Sequence, residues 1–500
     1  MTNSHRKILS SSIIVGSAAL INVALGLVRM KGAALLVGPS GVGLIGLFLN
    51  LVTLAATIAG LGSGASAVRE IAAADAAGDL VRRDATRRAL FWTSVAGAVL
   101  SSGLLWLVAA PLAAGAFGGA VPASDIAALA PAVGLTVAAA ACVTLLNGFR
   151  RIADIAWVQV LSALVGTVAG LAALAIGGKG AVLWYIVLAP ISSLLVGLAF
   201  SRRVAPVAAP WERRSTVRQC WILIRLGLPF MAAGLSSNAA VFAVRTLVLD
   251  RRGAPELGLF AATWAISTTY VSFILQAMST DYFPHLSGII HDRTAANRLI
   301  NDQIEVSVLL ALPVLLFTIS CAPWVLHLAY SSAFVPAADL LRWQVAGDIF
   351  KIFSWPLTMS MLAAGRGKTF LLTETGASLF YTVAVFLLID RLGLSAAGVA
   401  YVLMYAAHCS LLLVLTRRAH GFLVDTALRR RAITAGAVLA IVTAAALWSD
   451  ALGLLLGVPA TFVAAVLSVR RLQQLDALPP RLALVLNAFG SRRVRRRRVI

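Results

Sequence analysis

The chain is a succession of apolar runs, each of roughly twenty or more residues, separated by short stretches that carry most of its charge. A run of that length crosses a hydrocarbon layer of about 30 Å as a helix. No open or irregular form is stable in contact with lipid, because every backbone N–H and C=O must find its partner within the protein. Fourteen runs are read from the sequence, the first over residues 8–30, the tenth over 338–364 and the last over 451–468. With 60% hydrophobic residues and a mean hydropathy of +0.90, the composition lies outside that of soluble domains. Barrel-type alternation is absent, and Gly and Pro sit inside the runs, as membrane helices tolerate. The expected fold is therefore an all-α integral membrane protein with about 14 transmembrane helices.

His5, Arg6 and Lys7 followed by apolar Ile8 to Val28 have the outline of a signal peptide. The apolar run is too long for one and too many spans follow, so it is read as an uncleaved first helix. Cys142, Cys220, Cys321 and Cys409 show no CxxC spacing, and neither disulfides nor a metal are expected.

Orientation follows from the basic residues, since short loops rich in Lys and Arg stay on the cytoplasmic side. With the chain starting inside, the cytoplasmic segments collect 32 of the 42 basic residues. The outer loops hold Lys31, Lys179, Arg251, Arg252 and Arg391; Arg29, Arg225, Arg245, Arg342 and Lys351 lie within or at the ends of spans. Both termini are expected in the cytoplasm, and the net charge of +22 records topology and not nucleic-acid binding. The basic tail SRRVRRRRVI is suited to anchoring, or to resting on anionic inner-leaflet lipid.

Sliding the chain on itself by 216 residues superposes Asn22 on Asn238, Arg29 on Arg245, Pro39 on Pro255, Arg150 on Arg366 and Gly177 on Gly393. Six spans separate the copies, so the halves run parallel, related by an axis along the membrane normal. The expected organisation is a six-helix lobe over residues 1–200, a cytoplasmic linker over 201–220 and a second six-helix lobe over 221–416. Helices 13 and 14 follow over 417–468, and a basic tail over 469–500.

Three stretches carry a family likeness: LLVGPSGVGLIGLF (35–48), STDYFPHLS (279–287), and LLRWQVAGDIFKIFSWPL followed by AAGRGK (340–368). They resemble the polysaccharide transporter family, and within it the Wzx-type O-antigen and exopolysaccharide repeat-unit flippases. That family shares a superfamily with the MATE multidrug exporters and the lipid II flippases. The resemblance implies two lobes forming a V around a central cavity. It further implies movement of an undecaprenyl-diphosphate-linked oligosaccharide from the inner to the outer leaflet of the bacterial cytoplasmic membrane. A proton or sodium gradient would drive the cycle without a bound cofactor, and a polysaccharide polymerase and a chain-length regulator would be partners. A lipid II flippase and a multidrug exporter are the alternatives.

The tenth span is the most polar. At 100° per residue, Gln344, Asp348, Lys351 and Trp355 fall within about 60° on one face, and Arg342 faces the other way. A charge at mid-bilayer costs at least about 2.5 kcal/mol, so this stripe should face protein or water. Asp348 and Lys351, at i and i+3, form either a structural ion pair or a cavity wall in which Lys attracts diphosphate and Asp takes part in ion coupling. Arg342, near the outer end, is expected to snorkel. Asn22 with Arg29, and Asn238 with Arg245, each place an amide and a guanidinium on one helical face. A guanidinium suits a diphosphate through bidentate hydrogen bonds, with snorkelling to the headgroups as the plain reading. Arg225, one turn into the seventh span, is a candidate entrance site for the headgroup. Glu374, in the eleventh span with no basic residue at i±3 or i±4, is a second candidate for coupling, because a desolvated carboxylate holds a proton more readily.

Enzyme classes fit poorly. The segment MKGAALLVGPSG (30–41) lacks the acidic residues a polytopic glycosyltransferase needs in its first outer loop. No outer loop is long enough for a polymerase or ligase, and no GxxxxGK[ST] loop is present for direct ATP driving.

Overall fold

The computed structural model describes residues 2–204 and 209–475, and every regular element among them is helical. The α-helices are α1 Thr2–Gly60, α2 Ser63–Ala76, α3 Leu80–Pro111, α4 Ala123–Ala127, α5 Ala130–Gly148, α6 Ile152–Gly177, α7 Val182–Ser201 and α8 Arg213–Ile289. They continue with α9 Arg293–Ser320, α10 Ala322–Ala329, α11 Ala338–Ala363, α12 Gly367–Leu392, α13 Ser395–His420, α14 Thr426–Trp448 and α15 Asp450–Gln474. Among the described residues, ten helical stretches are long and apolar enough to cross a membrane. Three of them, of 44, 50 and 42 residues, are about twice the length one crossing needs. The basic cluster at 491–500 lies outside the described residues.

Two helices run on through segments expected to be outer loops, and both bend at a glycine. In α1 the bend is at Gly38 (φ 66°, ψ −171°), before Pro39; in α8 it is at Gly253 (φ 83°, ψ 175°). That backbone region is open essentially only to glycine, so the bends are written into GPSG and RRGAP. Lys31 is accordingly not in a loop: it lies in α1, and its Nζ donates to the Leu328 carbonyl at 2.7 Å. The two bends pack together, and a methyl at Gly258 would run into the Pro39 carbonyl. Left-handed backbone positions also recur along the chain. Gly38, Arg150 and Gly178 return as Gly253, Gly365 and Gly393, each 215 residues later, one residue off the register of the side-chain matches.

Contacts divide the chain into two compact units of interleaved segments. The first holds residues 1–266, 323–340 and 371–404; the second holds 267–322, 341–370 and 405–500. In the first, the start of α3 is a charged knot around fully buried Asp84, whose carboxylate meets Arg83 at 3.3 Å and Arg87 at 3.6 Å. Both guanidiniums lie over the Phe149 ring. Asp84 also accepts from the Ala209 backbone N–H at 3.0 Å, and Arg88 donates to the Pro210 carbonyl at 2.8 Å, so the end of the linker is fastened to α3. In the second unit, α14 and α15 pack on α9. Glu305 of α9 pairs there with Arg431 and, at 2.7 Å, with Arg471. Asn301 accepts from the Asp425 backbone N–H at 2.9 Å and donates to the Leu423 carbonyl at 3.1 Å. Ala209 and Asp425 are 216 residues apart, so the same clasp of a polar side chain on the following loop occurs at matching places in the repeat.

Candidate functional site

The polar face of the tenth span is α11, and the structure buries it. Gln344 and Asp348 are both 0% exposed, while Lys351 and Trp355 are half-buried. Asp348 accepts hydrogen bonds from Ser267 Oγ at 2.7 Å and from the Tyr270 hydroxyl. Ser267 and Tyr270 are i and i+3 on α8, so one face of that helix presents two hydroxyls to one carboxylate oxygen. Lys351 Nζ lies 5.5 Å from the centre of the Tyr405 ring, a cation–π contact. Trp355 packs against Tyr282, with ring centres 5.8 Å apart. Neither amide atom of Gln344 has a hydrogen-bond partner among the described residues. A fully buried amide in that state is rare, because desolvating it without a partner costs about 1 to 3 kcal/mol.

Arg342, on the opposite face of α11, does not snorkel. It is 3% exposed, its Nη2 pairs with Asp450 at the start of α15, and its Nε donates to the Ile319 carbonyl. A buried guanidinium needs a counter-charge, and Asp450 supplies it from a helix that the local sequence pattern gives no reason to connect.

The repeat-related arginines lie in the first unit and differ in setting. Arg29 is half-buried, donates from Nε to the Tyr185 hydroxyl at 2.8 Å, and has its Cζ 4.7 Å from that ring's centre. Its Nη2 is buried without a partner among the described residues, which leaves donors for an incoming acceptor. Arg245 is 8% exposed, and its Nη1 donates to the Gly46 carbonyl, tying α8 to α1. Asn238 donates to the carbonyl of Gly234 one turn back, at 2.9 Å; Asn22 is half-buried. Arg225 is exposed and Glu374 is half-buried, near the hydrogen bond between Ser236 and Thr375 at 2.9 Å. The structure therefore divides the candidates by unit: Asn22, Arg29, Arg225, Asn238, Arg245 and Glu374 in the first, Asp348 and Lys351 in the second.

Four partners were not singled out from the sequence: Ser267 and Tyr270 for Asp348, Tyr185 for Arg29 and Tyr405 for Lys351. The one available signal was the hydroxyl-rich stretch STTY (267–270) inside an apolar run.

The model of the polysaccharide biosynthesis protein family matches residues 8–290. The lipid III flippases of Escherichia coli (strain K12) and Shigella flexneri are each 25% identical over 431 residues, covering 82% of this chain and 99% of their own. Among solved structures, the lipid II flippase MurJ in an inward closed conformation aligns with a TM-score of 0.67 at 12% identity, covering 93% of this chain and 99% of its own. An inward-facing multidrug resistance MATE family transporter of the MOP superfamily aligns with a TM-score of 0.60 at 17% identity, covering 84% and 99%. The fold is thus that of the MOP-superfamily transporters.

Proposed function

The chain belongs to the polysaccharide biosynthesis protein family, and on that footing we propose that it flips an undecaprenyl-diphosphate-linked oligosaccharide repeat unit from the cytoplasmic to the outer leaflet. It is a multi-pass membrane transporter and not an enzyme. The product serves O-antigen, exopolysaccharide or related surface polysaccharide synthesis in the bacterial cytoplasmic membrane, with a polymerase and a chain-length regulator as downstream partners. The observation that carries this reading is the match to the lipid III flippases along nearly their whole length. The lobes at 1–200 and 221–416 rock about a central site in alternating access, and helices 13 and 14 and the tail lie outside that repeat.

Arg29, in the first unit, and Lys351, in the second, are each assigned a contact with diphosphate. Arg29 keeps one guanidinium nitrogen, Nη2, without a partner among the described residues, and Lys351 brings a point charge beside the Tyr405 ring. Asn22 and Asn238 flank as amides, Arg225 receives the headgroup at the entrance, and Arg245 acts through the α8–α1 tie that it maintains. Asp348 and Glu374 carry the coupling ion, a proton or sodium. The unpartnered Gln344 amide, one turn before Asp348 on the same face, supports a polar passenger in this part of α11.

A lipid II flippase is the second reading, favoured by the coverage of the MurJ alignment. Reconstitution into liposomes with fluorescent undecaprenyl-diphosphate saccharides tests both. Gradient-dependent movement of a repeat-unit substrate is expected, while movement of lipid II alone selects the second reading. Export of cationic drugs with no movement of either lipid would remove both.

A further inference from the structure

Where the starts of α3 and α8 meet, the first unit forms an open-mouthed cavity of about 730 Å³ lined by Asp79, Arg82, Glu212, Arg214, Arg218 and Gln219, with Val81 and Ile222 as its apolar lining. Two of these groups are already committed. The Asp79 carboxylate caps α3 by accepting from the Arg82 backbone N–H at 2.9 Å, and the Arg82 guanidinium is held 2.6 Å from Glu70. Arg214 and Arg218 are exposed, one helical turn apart on the same face of α8, where like charges repel. That arrangement favours an anion between them. Two other features favour the opposite. Glu212 brings a carboxylate into the same cavity, and Gln219, 7% exposed, has its Oε1 buried with no hydrogen-bond donor among the described residues.

A simple anion would satisfy the arginines and meet Glu212; a simple cation would do the reverse. A ligand carrying a phosphate and an N–H-bearing ammonium a few bonds apart satisfies both. Two exposed tryptophans indicate where such a ligand comes from. Trp211 and Trp221, 67% and 65% exposed, stand beside the cavity-lining residues 212–219, and exposed Trp in membrane proteins concentrates at headgroup level. Val81 and Ile222 give the cavity an apolar border of the kind that acyl chains cover. We infer that the cavity formed by Arg214, Arg218, Glu212 and Gln219 binds the headgroup of a zwitterionic phospholipid with a primary ammonium. The arginines clamp its phosphate, and Glu212 and Gln219 Oε1 accept from its ammonium. This lipid is distinct from the transported one, so the inference stands apart from the proposed substrate.

The experiment is native mass spectrometry of the full chain, released from nanodiscs containing equal amounts of phosphatidylethanolamine, phosphatidylglycerol and phosphatidylcholine. Phosphatidylethanolamine is expected to be retained above both others, since phosphatidylglycerol lacks the cation and phosphatidylcholine lacks N–H donors. Arg214→Ala with Arg218→Ala should lower that retention about tenfold, as for the loss of a hydrogen bond to a charged group. Glu212→Gln, close in shape, should keep a bound lipid but lose the preference for phosphatidylethanolamine over phosphatidylglycerol. Unaltered melting of the variants separates these effects from misfolding. Equal retention of phosphatidylcholine, preference for phosphatidylglycerol, or full retention in the double variant overturns the assignment. So does capture of water-soluble phosphoethanolamine with no lipid retained.

Discussion

Asp348 is the residue on which the buried polar face of α11 turns. Its carboxylate takes two hydroxyl donors on one oxygen inside a fully buried pocket, so replacements that differ only in hydrogen-bonding capacity give different results. Asp348→Ala strips Ser267 and Tyr270 of their acceptor, at about 1 to 3 kcal/mol for each group left unpaired, and should lower the amount of folded protein in the membrane. Asp348→Asn keeps an acceptor oxygen and should restore abundance while transport stays lost, because an amide neither binds nor releases the coupling ion. Quantifying protein and flipping in both variants checks this: an Asn variant with normal transport would leave Asp348 a purely structural role. The stripe itself was legible in the sequence because helical periodicity places residues 344, 348, 351 and 355 on one face. The hydroxyls that hold it were not, since they lie some 80 residues away and only the packing of α8 on α11 brings them near. Tyr185 and Tyr405 escaped for the same reason.

At the scale of elements, the sequence marks helices through apolar length and bends through glycine, but it is silent on which helix supplies a counter-charge. Arg342 shows the gap. Position near a span's end argued for snorkelling, whereas the fold turns the side chain inward to Asp450, 108 residues on. The pair joins the start of α15 to α11, as Glu305 with Arg431 and Arg471 joins α14 and α15 to α9. Asp450→Ala should deprive the buried Arg342 guanidinium of this carboxylate and lower the unfolding temperature of the purified protein. Arg342→Leu in the same chain should recover most of the loss, because a well-packed apolar side chain replaces a buried ion pair at little or no cost. If the double variant melts no higher than Asp450→Ala alone, the pair is not what ties α15 to α11. The bends at Gly38 and Gly253 are the counter-example, where local sequence did suffice: the backbone there is one that only glycine takes, so the residue announces the turn.

For the whole molecule, the distribution of charge specifies an orientation, and labelling decides it. If the chain starts in the cytoplasm, the segment between α2 and α3 is cytoplasmic and the segment between α3 and α4 is outside. The choice of reporter follows from the structure. Arg83 belongs to the first of these regions by sequence, yet it is 8% exposed and ion-paired with Asp84 and Asp75. A cysteine there would react slowly from either side and would also remove one of the two guanidiniums that neutralise fully buried Asp84. Weakening a buried charge cluster in that way would confuse exclusion from the reagent with loss of folded protein. Ala77 and Ala120 are exposed and apolar, and both lie in short connections between helices. In a background with Cys142, Cys220, Cys321 and Cys409 replaced by serine or alanine, Ala77→Cys should react with a membrane-impermeant maleimide only after the inner face is opened. Ala120→Cys should react in intact cells. The reverse pattern would invert the chain and move the entrance assigned to Arg225 to the wrong leaflet for a cytoplasmic substrate. Reaction of both from one side would mean that α3 does not cross, which the apolar 37-residue stretch Leu80–Ala116 that contains it makes untenable unless that stretch lies along the membrane surface.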